Sequence, residues 1–222
     1  MGSAQESSEL LCFTEQGSGP PLLLVHGLMV SGEMFEPVVK HFAARHRVIV
    51  PDLRGHGRSR GLPPAVYGSD PGRCDRLVLS CTYAFNMATT REKVEGHLVP
   101  FLVRLLGMKG MARFVVSQGT KDLGKERAYW LAGLMADQDR KLMLAAWRQT
   151  MAFDSRHRLT EIDCPTLIVA GSNDQAVPIH HAKMLHDGIA GAQLVIVEGA
   201  DHALIWTHTE EFVQMTDTFI DA

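Results

Sequence analysis

Apolar and polar positions along the chain form two kinds of pattern, short apolar runs and longer stretches with helical spacing. Five runs predict buried strands: 21–25, 47–50, 76–79, 165–169 and 193–197. Between the first two runs, apolar residues of 33–45 recur at helical spacing. A strand, a helix and a strand at this spacing form a βαβ unit, which implies a parallel sheet.

A different pattern fills residues 82–159, where methionine and leucine are dense and strand signals are lacking. Apolar residues recur there at helical spacing, which predicts several helices. Strand signals return afterwards, and helices are predicted at 179–187 and 209–220. The sequence therefore predicts an α/β core of mostly parallel sheet, formed by 1–81 and 160–222, with a helical cap inserted between its halves.

Composition narrows the class of protein. The 222 residues are 45% hydrophobic and 21% charged, which is typical of a globular domain with a modest insertion. No apolar run is long enough to cross a bilayer, and the first residues do not read as a signal peptide. The formal charge of −3 gives no general reason to bind nucleic acid or an anionic membrane. We expect a cytoplasmic protein.

The four cysteines are scattered and form no CxxC pair: Cys12, Cys74, Cys81 and Cys164. This spacing fits neither a zinc knuckle nor a redox motif, so they are interpreted as small buried residues in a reducing compartment.

Polar residues just after the predicted strands are the candidates for chemistry, because ligands bind beyond the carboxyl ends of parallel strands. Asp174 follows the fourth strand and His202 follows the fifth. An acid and a histidine so placed can form an acid–base pair, in which the carboxylate orients the imidazole. Taken alone, Asp174 also fits a cap for the helix that Pro178 begins, and His202 fits an exposed loop histidine. Their joint placement favours the pair.

Five sequence blocks occur next to the predicted strands: His26-Gly27, Pro51–Ser59, Pro71–Leu79, Pro165–Asp174 and Gly199–His202. In these blocks and their order the chain resembles the α/β-hydrolase superfamily. The resemblance is to its capped branch of esterases, lactonases, C–C bond hydrolases and epoxide or haloalkane hydrolases. The blocks extend nearly from end to end of the chain.

The resemblance implies a Ser-His-Asp hydrolase of carboxylic esters or lactones that needs no cofactor. Asp174 would be the acid of the triad, His202 its base, and the backbone N–H of Leu28 an oxyanion-hole donor. The cap, rich in methionine and leucine, indicates a small to medium apolar substrate.

The nucleophile of that family is missing from its expected place, because no G-x-S-x-G motif occurs between Ser59 and the predicted cap. Only fifteen residues separate Ser59 from Asp75, where the family has about forty to fifty more, at least one crossover unit. We therefore expect a deletion of the central nucleophile strand and its flanking helices, and weak or no activity. Ser69 lacks the elbow glycines and Ser117 lies in the cap, so both are weak replacements.

The deletion has a structural consequence. The strands on either side of the gap must pair directly or leave open edges, and apolar sheet surface becomes exposed. Self-association or strand exchange between copies is one way to cover such surface. Two other functions stay open: a ligand-binding or interaction protein without catalysis, and a lyase or oxygenase that uses the His–Asp pair without a serine.

Two further groups of residues are interpreted as structural. Asp52 and the glycines of Arg54–Ser59 fit a tight turn. His180, His181 and His186 fall in a predicted helix, and no carboxylate or cysteine stands beside them at a metal-ligand spacing. The sequence therefore predicts no metal site.

Overall fold

The computed structural model describes residues 11–62, 74–119 and 123–222. The strands are β1 (Phe13–Gln16), β2 (Pro21–Leu23), β3 (Arg47–Pro51), β4 (Leu77–Ser80), β5 (Thr166–Gly171) and β6 (Gln193–Val197). The helices are α1 (Glu36–Phe42), α2 (Thr90–Gly119), α3 (Lys125–Ala136), α4 (Arg140–Ala152), α5 (Ile179–Gly188), α6 (Leu204–Thr207) and α7 (Thr209–Ile220). Short 3₁₀ turns occupy Gly32–Phe35, Gly57–Ser59 and Arg156–Glu161.

The first sheet has the order β1-β3-β2. β2 runs parallel to β3, with Leu22 opposite Val48, whereas β1 is antiparallel to β3, with Thr14 opposite Val50. The sequence did not predict β1, because all four of its residues are exposed and give no apolar signal. The fold is therefore an α/β arrangement of mixed sheets flanked by helices.

The second sheet has the order β4-β5-β6, and all of its strands are parallel. β5 is its central strand and is buried along its whole length. A strand buried on both faces reads as a continuous apolar run, which explains why the sequence identified it.

Two strands, β2 and β4, lie at edges of separate sheets and have a neighbour on one side only, within the described parts of the chain. On the β2 side, Leu23 is 59% exposed and Val25 is 52% exposed. Among the described residues, β2 and β4 therefore do not pair with each other.

One hydrophobic cluster joins the two sheets. It contains Val38 and Phe42 of α1, Val48 of the first sheet, Leu167 of the second and Phe219 of α7, all buried. In addition, the indole N–H of Trp206 in α6 donates to the carbonyl of Met34 next to α1, at 3.0 Å. Burial of shared apolar surface thus holds the sheets together although their edge strands do not pair.

Helices α2, α3 and α4 pack through a second cluster that is rich in methionine. Its buried members include Met111, Met135 and Met143, together with Met29 and Val30 from the loop after β2. A single antiparallel bridge between residues 85 and 154 lies at the base of this helical segment. No helix of the described residues is both long and apolar enough to span a membrane.

The prediction of buried cysteines is wrong. Cys12 and Cys74 are exposed, and Cys81 and Cys164 are half-buried. Each lies in a loop next to a strand rather than inside the core, and the sulfurs of Cys74 and Cys164 are 3.5 Å apart.

Candidate active site

The loops that follow β5 and β6 lie against each other and carry Asp174 and His202. A Cβ atom on Gly171 would lie 2.3 Å from the carbonyl oxygen of Ala200, so only glycine permits this approach. The backbone N–H of Asn173 donates to the same carbonyl at 2.9 Å. The loop backbones therefore fix the separation of the two side chains.

Asp174 uses its two oxygens for different purposes. Oδ2 accepts a hydrogen bond from Nδ1 of His202 at 2.8 Å. Oδ1 accepts from the backbone N–H groups of Ala176 and Val177, both at 2.8 Å. The buried carboxylate thus caps the turn before α5 and orients the imidazole, so both interpretations of this residue hold at once. The His202 side chain is 46% exposed, which leaves the ring open to solvent.

Cys81 is a third side chain at this position, and sequence reasoning missed it. It follows β4, and its Sγ lies within 4.8 Å of a ring nitrogen of His202 and a carboxylate oxygen of Asp174. Its φ of +46° is in the left-handed region. A nucleophile that is hydrogen-bonded to Nε2 of His202, the ring nitrogen that does not contact Asp174, would lie about 7 Å from the carboxylate. The thiol therefore flanks the His–Asp pair instead of extending it.

These neighbours decide the charge of His202. Burial works to lower its pKa, but the hydrogen bond with Asp174 and the Cys81 thiol outweigh this and raise the pKa above its ordinary value of 6.5. The shift favours the protonated imidazole. Its neutral form, which a general base requires, becomes more populated as the pH rises.

The predicted oxyanion loop follows β2. The backbone N–H of Leu53 donates to Nε2 of buried His26 at 2.9 Å, so the ring proton resides on Nδ1 and is donated to the carbonyl of Gly27 at 2.7 Å. Burial lowers the pKa of His26 to about 4, which keeps it neutral. Leu28 is half-buried, and Met29 next to it has a φ of +67°. This loop belongs to the first sheet, whereas the His–Asp pair belongs to the second.

The turn after β3 is held by Asp52, as the sequence predicted. Its Oδ1 accepts from the backbone N–H of Gly32 at 2.8 Å, and its Oδ2 accepts from Nε of Arg58 at 2.7 Å. Gly57 has a φ of +47°, and a Cβ atom there would lie 2.7 Å from the Asp52 carboxyl carbon. The carboxylate is thus committed to the turn.

Of the two serine candidates, one has a described position. Ser69 lies outside the described residues. Ser117 lies in α2, and its hydroxyl donates to the carbonyl of Phe114 at 2.7 Å, one turn earlier in the same helix.

Folding brings a carboxylate to two of the predicted helix histidines. Oε1 of Glu92 lies 2.8 Å from Nε2 of His180 and 3.0 Å from Nε2 of His181. Glu92 is 89 residues from His181 along the chain, so local spacing could not reveal the contact. His186 is exposed and contacts Asp187 instead.

Comparison with protein families identifies two regions. A family described as alpha/beta hydrolase fold matches residues 20–120, and one described as TAP-like protein matches residues 135–222. The chain is 30% identical over 216 residues to the magnesium-chelatase 30 kDa subunit of Rhodobacter capsulatus, covering 75% of each protein.

Two further comparisons cover more of the chain. A pimeloyl-[acyl-carrier protein] methyl ester esterase of Neisseria meningitidis is 24% identical over 237 residues, which include 89% of this chain and 92% of that protein. Among solved structures, the enol-lactonase of Burkholderia xenovorans superposes with a TM-score of 0.81 at 20% identity, covering 96% of both chains.

Proposed function

Since the chain belongs to the α/β-hydrolase superfamily, we propose that it hydrolyses small carboxylic esters or lactones with His202 as the general base. The observation that carries this proposal is the 2.8 Å hydrogen bond between His202 Nδ1 and Asp174 Oδ2 at the carboxyl ends of the second sheet. The similarity to a methyl ester esterase and to an enol-lactonase supports the choice of substrate class.

In the reaction, Nε2 of neutral His202 accepts a proton from water while the water oxygen attacks the substrate carbonyl carbon. Asp174 keeps the ring proton on Nδ1 and stabilises the imidazolium that forms. The backbone N–H of Leu28 donates to the developing oxyanion. The imidazolium then returns the proton to the leaving alkoxide as its C–O bond breaks, which yields the acid and the alcohol.

Water is the nucleophile in this proposal because the segment with the family's serine elbow is deleted between Ser59 and Asp75. The open edges of β2 and β4 support the deletion, since each lacks a neighbour on one side among the described residues. The alignment with the methyl ester esterase also supports the deletion. The alignment is 237 positions long, whereas this chain has 222 residues, of which 89% are aligned, so the esterase has residues without a counterpart in this chain.

The proposal includes the division of the chain that the sequence predicts, and the packing of α2, α3 and α4 through their own cluster supports it. Residues 1–81 and 160–222 form the core that carries the His–Asp pair, and 82–159 form a helical cap. The methionine-rich cluster includes Met29 and packs against Leu28, whose backbone N–H is the proposed oxyanion donor. A lining of this kind adapts to apolar groups, which supports a small to medium apolar acyl or alkyl group as substrate.

Ester hydrolysis combined with serine labelling tests the proposal. We expect the purified protein to hydrolyse p-nitrophenyl acetate and a small lactone above the buffer rate, and we expect no mass increase after treatment with a serine-directed phosphonate. A phosphonate adduct would show that a serine has taken over as nucleophile. Binding of such compounds without any turnover would contradict the proposal and favour a ligand-binding protein.

A further inference from the structure

The cluster of Glu92, His180 and His181 connects two elements that are distant in sequence. Glu92 lies in the first turn of α2, and the histidines lie in the first turn of α5. The two rings have centroids 4.2 Å apart, so neighbouring residues direct their rings to one place. His181 is 1% exposed and Glu92 is 9% exposed, which makes the site largely dry.

A capping box fixes the carboxylate in this position. The backbone N–H of Glu92 donates to Oγ1 of Thr89 at 3.2 Å, and the backbone N–H of Thr89 donates to Oε2 of Glu92 at 2.8 Å. This reciprocal pair is a common way of starting a helix. It occupies Oε2 and leaves Oε1 facing the histidines.

The spacing of the three polar atoms matches a shared ion. Ligand atoms about 2.0–2.2 Å from one zinc ion are about 2.9–3.4 Å apart at bond angles between octahedral and tetrahedral. The observed separations from Glu92 Oε1 are 2.8 and 3.0 Å. The three ligand atoms all lie within 4.8 Å of one another, so one ion can reach all of them.

Only one of the two Nε2 atoms in the cluster has a hydrogen-bond partner. Nε2 of His181 has a hydrogen bond with Glu92. Nε2 of His180 is shielded from solvent and has no hydrogen-bond partner, although Glu92 Oε1 is within contact distance. A ring nitrogen without a hydrogen-bond partner is available as a metal ligand.

We propose that Glu92, His180 and His181 bind one zinc ion that ties α2 to α5. Two imidazoles and one carboxylate suit zinc and other first-row transition metals better than magnesium or calcium. Three protein ligands leave a coordination position for water. This site shares no residue with the His202–Asp174 pair, and its test does not depend on hydrolytic activity.

The test is a zinc titration of the chelator-treated, untagged full chain, with thermal unfolding measured in parallel. We expect one zinc per chain and a higher Tm with zinc. His180→Ala removes a partly exposed ligand, and Glu92→Gln keeps the capping box while weakening the ligand. Both should lower the affinity at least about tenfold and reduce the rise in Tm. His186→Ala, on the exposed part of α5, is the matched control and should behave like the parent.

The visible spectrum of the protein with Co²⁺ in place of zinc identifies which atoms bind the metal. We expect visible bands without a thiolate-to-cobalt charge-transfer band, because no sulfur belongs to the site. Failure to bind zinc at one per chain would overturn the proposal, as would unchanged affinity in both His180→Ala and Glu92→Gln. A thiolate band that disappears in Cys81→Ala would also overturn it, since the metal would then lie at the other cluster of Cys81, Asp174 and His202.

Discussion

Replacement of Asp174 by asparagine separates the two roles of this side chain. The backbone N–H groups of Ala176 and Val177 both point at Oδ1, so the amide oxygen of an asparagine must occupy that place. Its NH₂ group then faces His202 and donates to Nδ1. The ring proton is forced onto Nε2, which can no longer accept a proton from water.

The expected magnitudes differ for activity and for stability. General-base catalysis contributes about 10²–10⁴ in rate, so we expect Asp174→Asn to lower ester hydrolysis by that factor. Because the turn keeps its acceptor, the free energy of unfolding should fall only by the loss of the charge-assisted hydrogen bond with His202, about 1.5–3 kcal/mol. Asp174→Ala loses the acceptor as well, and the buried N–H of Val177 alone should then cost about 1–3 kcal/mol more.

The assay combines initial rates on a short-chain p-nitrophenyl ester with urea unfolding of the parent and both variants. Equal stability of the two variants would refute the capping role of Oδ1. An Asp174→Asn protein that is folded and keeps the parent rate would refute the role of the acid in orienting His202.

Three further predictions concern other parts of the molecule. The hydrolysis rate should rise with pH through a midpoint above 6.5, because the neutral form of His202 is the active one and its pKa is raised. Since the Cys81 thiol contributes to this rise in pKa, the midpoint in Cys81→Ala should move towards 6.5 without loss of activity. Gel filtration should show concentration-dependent self-association of the parent, which Leu23→Lys reduces by placing a charge on the open edge of β2. Gly57→Ala should lower the free energy of unfolding by about 1–3 kcal/mol in urea titrations, because its φ is positive and its Cβ would press on Asp52.

The sequence predicted those parts of the fold that have a regular apolar period. β5 was identified because it is buried along its length, and α7 matches the predicted 209–220. β1 was missed because its four exposed residues carry no such period. The family resemblance is confirmed by the two family matches and by the relative that is 30% identical. The enol-lactonase structure confirms the fold, and the cap boundaries remain a prediction.

The sequence predicted those residues of the candidate site that directly follow a predicted strand. Asp174 and His202 could be paired because the ends of neighbouring parallel strands meet. Cys81 also follows a strand, but nothing in a lone thiol indicated that it would lie beside them. The contact of Glu92 with His180 and His181 depends on the packing of α2 against α5, which local spacing does not encode.

The most direct test of the central claim, that His202 carries the chemistry without an elbow serine, is one comparison of ester hydrolysis rates. The parent, His202→Ala, Ser69→Ala and the exposed control His186→Ala are assayed on the same p-nitrophenyl ester, with folding of each checked by circular dichroism. We expect His202→Ala to lose most of the activity, by about 10²–10⁴-fold, while Ser69→Ala and His186→Ala stay near the parent rate. A folded Ser69→Ala protein without activity would contradict the account, because the shortened loop would then supply the nucleophile.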